Sequence, residues 1–107
     1  MMYLRLLIII VFTNIMSYRV IPAHESYKFT LMIPKGNQLT EIWSDDGRLS
    51  CQFKDPATGV IGLTQTKVQH CIGWSTLTSP IPLEITITNE NNSTHQYTIW
   101  VHPDPSN

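Results

Sequence analysis

Apolar and polar residues alternate with a period of two along most of this chain, in short runs separated by turn-forming residues. A period of two puts every second side chain on one face of an extended strand, whereas a helix needs a period near 3.6. Tyr27, Phe29, Leu31 and Ile33 share one parity, and Lys28, Thr30 and Met32 the other. Leu49, Cys51 and Phe53 alternate in the same way with Ser50, Gln52 and Lys54. Leu83, Ile85 and Ile87 alternate with Glu84, Thr86 and Thr88, and Tyr97, Ile99 and Val101 form the last run. Residues 38–44, 60–64 and 67–74 supply three further strands, the second weakened by Gly62. Two facings compete in residues 38–44. Either Leu39 and Trp43 point inward and take Glu41 with them, or Ile42 points inward and Trp43 meets water. In residues 67–74, Val68, Ile72 and Trp74 share a parity that Cys71 does not, which predicts a bulge, a twist or a strand buried on both faces. Turn chemistry stands between the runs at Pro34-Lys35-Gly36-Asn37, Ser44-Asp45-Asp46-Gly47 and Asp55-Pro56-Ala57-Thr58-Gly59, with a two-proline loop over residues 75–82 and a polar tip over residues 89–94. No window carries a capped helical period. The pattern predicts an all-β fold, a small antiparallel β-sandwich of six to seven strands.

The first residues follow another logic. Arg5 precedes an unbroken apolar run over residues 6–12, which Asn14 interrupts well short of the roughly 20 residues that span a bilayer. Residues 1–23 read as a secretory signal peptide, with cleavage after Ser17 or after Ala23. The competing reading is an N-terminal anchor or a buried first strand. Cleavage after Ala23 leaves residues 24–107 as a single β-sandwich domain, near the small end of what one core stabilises. Such a product is secreted and extracellular, with no stable membrane insertion after cleavage. It keeps five of the seven Lys and Arg and all eight Asp and Glu, for a net charge of −3. That balance disfavours nucleic acid, which needs a basic stripe to displace counterions, and anionic lipid.

In an oxidising compartment Cys51 and Cys71 form one disulfide. Closing a loop of this size contributes about 3 kcal/mol in the chain-entropy model. The interval is too short for the immunoglobulin pattern, and Trp74 follows the second cysteine rather than lying between the two. No CxxC pair offers sulfur to zinc.

Chemistry-bearing residues are sparse. Asn91-Asn92-Ser93-Thr94 holds two overlapping glycosylation sequons, at Asn91 and Asn92, on a hairpin tip. His95 and His102 bracket the last strand with opposite parity, a poor arrangement for one metal ion, and each reads as a surface histidine. His70, Glu84, His95 and Arg48 are the residue types a ribonuclease would use, but no spacing gathers them. Asp45-Asp46-Gly47 has too few oxygens for calcium and reads as a turn. No catalytic, metal or cofactor-binding residue is assigned, and no cofactor is expected. Met32, Trp100 and Trp43 fall where alternation meets solvent. Exposed aromatic residues of this kind are enriched in binding hot spots, so these three are the partner-binding candidates. An edge strand can also pair with a strand of a partner.

The leader of residues 1–23, the Cys51/Cys71 pair and the strands around Phe29, Leu49, Ile85 and Ile99 resemble the small secreted effectors of plant-pathogenic fungi, the MAX effectors in particular. The resemblance implies a secreted, non-enzymatic virulence effector that binds a host or partner protein through exposed strands, outside cells or after entering a host cell. Two other expectations stand beside it: a small viral or cell-surface glycoprotein domain, and a secreted ribonuclease-like hydrolase.

Overall fold

The computed structural model describes residues 15–45 and 47–105. These form β1 (Ile15–Ile21), β2 (Ser26–Ile33), β3 (Gly36–Trp43), β4 (Leu49–Lys54), β5 (Ile61–Val68), β6 (His70–Leu77), β7 (Ile81–Asn89) and β8 (His95–Pro103). Two four-stranded sheets result: sheet A in the order β1-β8-β3-β6 and sheet B in the order β2-β7-β4-β5. Every pairing is antiparallel; four are nested, β1 with β8, β2 with β7, β3 with β6 and β4 with β5, and β3 with β8 and β4 with β7 complete the two sheets. The chain is one long hairpin rolled over so that successive strands pass between the sheets, the jelly-roll arrangement of a β-sandwich.

The seven strands expected from alternation are β2 to β8. The eighth, β1, lies within the stretch assigned to the leader. Its residues pair one for one with β8, from Ile15↔Val101 to Ile21↔His95. Alternation continues here too: Ser17, Arg19 and Ile21 face inward and Met16, Tyr18 and Val20 face out. A leader ending at Ala23 would carry this strand away, and one ending at Ser17 would cut it. A first strand is the competing reading, and Ile15–Ile21 takes that form. The apolar run of residues 6–12 lies outside the described residues.

The core fills the space between the sheets with Ile42, Tyr97 and Ile99 from sheet A and Leu49, Phe53, Ile85 and Ile87 from sheet B. Cys51 on β4 and Cys71 on β6 are bonded across it, with their Cα atoms 6.6 Å apart. In β3 the buried parity is Gln38, Thr40 and Ile42, so Leu39, Glu41 and Trp43 face outward. The parity mismatch of residues 67–74 arises because two strands meet there. β5 ends at Val68, β6 begins at His70, and the chain changes sheets at Gln69. Lys67 takes a left-handed backbone, φ 53°, just before that corner, where β5 shifts register against β4 between Cys51↔Gln65 and Leu49↔Val68, in keeping with the bulge expected here. Cys71 and Gly73 then face the core, and Trp74 faces away. Gly73 is required by packing, since a Cβ there would lie 2.2 Å from Phe53 Cε2.

Candidate functional site

The outer face of sheet A collects residues that sequence order scatters. One cross-strand row runs Met16, Trp100, Glu41, Ile72, and the next runs Tyr18, Thr98, Trp43, His70. A third places His102, Leu39 and Trp74 side by side. All three tryptophans of the chain thus share one face of one sheet. Trp43 and Trp100 meet edge to face, with centroids 6.5 Å apart and planes at 75°. Aromatic pairs of this kind contribute about 0.5–1.5 kcal/mol beyond area burial. Trp100 also stacks on His102 at 3.7 Å, and Trp43 lies 5.3 Å from the His70 ring. Trp74 is 68% exposed, and Met16, Tyr18 and Val20 continue the apolar surface to the far edge.

Glu41 sits at the centre of this face. Its carboxylate meets His70 Nε2 at 3.0 Å on one diagonal and His102 Nε2 on the other. His102 also approaches the Pro103 carbonyl through Nδ1, at 3.0 Å. Both His102 contacts are satisfied together when each ring nitrogen carries a proton. A hollow of about 300 Å³, bordered by Trp43, Asp45, Gly47 and His70, extends the face at one end. The result is a rigid aromatic surface with a held carboxylate in the middle.

The partner-binding candidates divide. Trp43 and Trp100 are brought together here, both partly buried by their neighbours. Met32 is 55% exposed but lies on β2, on the outer face of the other sheet. His102 is not the surface histidine that alternation suggested. It is 8% exposed, held between Glu41 and Trp100. The ribonuclease set is not assembled, because His70 stands on the outer face of sheet A and Glu84, paired with Lys28, on that of sheet B. Asp46 lies outside the described residues.

The two sequons differ. Asn91 Nδ2 donates to the Arg48 carbonyl at 2.8 Å, Asn89 Oδ1 at 2.9 Å and Tyr97 Oη at 3.1 Å, and its Oδ1 accepts from Arg48 N–H at 3.0 Å. Asn92 is exposed, with its Oδ1 2.9 Å from His24 Nε2. A glycan replaces one amide N–H, so Asn92 is the sequon that this turn can carry without losing its hydrogen bonds.

Sequence reasoning missed Trp74, the Glu41 cluster and β1's contribution. Trp74 was legible once Cys71 and Gly73 were taken as the inward pair. The Glu41 contacts were not, because they join β3, β6 and β8 across the sheet.

No protein-family model matches the chain, and no curated protein matches it. Its fold is similar to that of Aeromonas hydrophila PliG, a periplasmic lysozyme inhibitor of g-type lysozyme. The TM-score is 0.57 at 11% identity, over 84% of this chain and 85% of that one. Salmonella Typhimurium PliG, also a periplasmic lysozyme inhibitor of g-type lysozyme, gives a TM-score of 0.50 at 15% identity, over 84% and 90%. A de novo designed double-stranded β-helix gives 0.47 at 15% identity, over 82% and 99%. At these identities the likeness is one of fold. Among the described residues no helix is long and apolar enough to cross a membrane.

Proposed function

We propose that this chain is a secreted, non-enzymatic module that binds a partner protein through the outer face of sheet A. The observation that carries the reading is the gathering of Trp43, Trp74 and Trp100 from β3, β6 and β8 on one face. Water-exposed aromatic area on a rigid sheet costs little conformational entropy to bind, and it dominates hot-spot energetics where it occurs. Glu41, held by two histidines, adds a polar element that gives such a face orientation as well as affinity.

A photo-cross-linking residue at Gln96, exposed on this face, is expected to capture a defined protein from the secreted fraction. The same residue at Met32 on sheet B is expected to capture none. Equal capture from both positions would sink the assignment of the face.

Two natural proteins of similar fold are inhibitors of g-type lysozyme, which favours a secreted hydrolase as the partner. Purified protein is expected to slow lysis of a cell-wall suspension by g-type lysozyme. Trp43→Ala is expected to weaken that effect by roughly tenfold, the size of one hot-spot side chain, and Met32→Ala to leave it unchanged. Full lysis in the presence of excess wild-type protein would dispose of the lysozyme reading.

A further inference from the structure

The two flanks of the sandwich are closed differently. Where β1 meets β2, the Arg19 guanidinium lies 5.3 Å from the Tyr27 ring centroid and 6.0 Å from that of Phe29. The two rings stack 5.5 Å apart. An arginine covers apolar surface with its stem while the ring faces attract its charge, so this flank is sealed from within the chain.

Among the described residues no such side chain arrives where β5 meets β6. A cleft of about 550 Å³ runs there between Phe53, Leu63 and Leu83 of sheet B and Gly73 and Trp74 of sheet A. Asp55, in the turn between β4 and β5, supplies a carboxylate to its lining, and no lysine or arginine lines it. Asp55 Oδ1 accepts a hydrogen bond from the Ala57 N–H at 2.9 Å. Among the described residues Asp55 forms no ion pair. An apolar floor, an exposed indole at the rim and an unneutralised carboxylate together complement a guanidinium on an alkyl stem.

We propose that the β5–β6 cleft receives an arginine side chain of the partner protein, its stem over Phe53, Leu63 and Leu83 and its guanidinium between Trp74 and Asp55. The source of the arginine rests on the partner-protein reading above. The volume falls within the range of small-ligand sites and leaves room for the residues that flank the arginine. β6 is an edge strand, so the flanking backbone can lie along it.

The cleft is tested with no partner present. Nα-acetyl-arginine N-methylamide, titrated into ¹⁵N-labelled protein, is expected to shift the Trp74 indole and the Gly62 and Gly73 amides in the millimolar range. The citrulline analogue, a neutral isostere, is expected to bind about fivefold more weakly. Asp55→Asn keeps the acceptor for the Ala57 N–H and removes the charge, so it is expected to reduce the arginine probe to the citrulline level. No shifts at these sites, equal shifts from both probes, or an undiminished response in Asp55→Asn would each overturn the arginine site. The titration does not depend on Gln96 cross-linking, so failure of one leaves the other standing. An unchanged cross-linking yield at Gln96 in the Asp55→Asn protein would overturn the partner as the source.

Discussion

Gly73 and Tyr97 are individual residues whose roles only packing explains. A Cβ at position 73 would overlap the Phe53 ring, which is buried in the core. Gly73→Ala is expected to destabilise the domain by about 1–3 kcal/mol, the usual cost of overpacking. A urea melt reads this directly, and an unchanged midpoint would show that the ring moves freely. Tyr97 is fully buried, and its hydroxyl donates to the Arg48 carbonyl at 2.9 Å. Burial pushes its pKa above the usual tyrosine value of about 10, and the nearby Glu90 charge adds to the rise against the lowering effect of Asn91. The folded state therefore holds this proton more tightly than the unfolded chain. The contribution is fully present below pH ~10 and is lost as pH rises above it. Absorbance titration is expected to show Tyr97 ionising above the usual tyrosine value, together with alkaline unfolding, and Tyr97→Phe is expected to flatten that decline in stability. Gly47 belongs with these residues. It is buried, and a Cβ there would lie 2.8 Å from Asn91 Nδ2 and 2.9 Å from His95 Nδ1, so it supplies space for both side chains.

At the level of elements, β1 is the one that alternation and composition pull in different directions. The basic start and apolar run read as a leader, yet Ile15–Ile21 completes sheet A against β8. Its last residue, Ile21, is buried, and its carbonyl accepts from Asn89 Nδ2 at 2.8 Å inside the protein. A chain beginning at His24 loses seven paired residues and uncovers the edge of β8. Unpaired edges of that kind template association. Such a chain is expected to melt at a lower temperature than one beginning at Ile15, and to associate in gel filtration. Equal melting and a monomeric profile would show that β1 is dispensable. The other seven strands were legible, because one face of each meets the core and period two survives in the residues. The β5–β6 boundary was not. A corner between sheets breaks parity without any composition change, and Gln69 carries no turn signal of its own.

For the whole molecule, the Cys51–Cys71 bond is the covalent link between the two sheets. It joins the third and fifth of the expected strands, as the sequence predicts, and the structure adds that those strands lie in opposite sheets. Reduction, or Cys51→Ala with Cys71→Ala, is expected to remove about 3 kcal/mol. For a domain of this size that corresponds to a fall in melting temperature on the order of 10–20 °C. Circular dichroism melts with and without reductant measure it, and coincident curves would show that sheet packing holds the sandwich without the bond. Local physics determined the strands, the turns and the all-β class, because alternation and turn chemistry act between residues close in sequence. The jelly-roll nesting, the shared face of Trp43, Trp74 and Trp100, the Glu41 contacts and the open β5–β6 flank were decided by tertiary structure. Each depends on residues far apart in the chain meeting across a sheet or between sheets, and such meetings leave no period in the sequence.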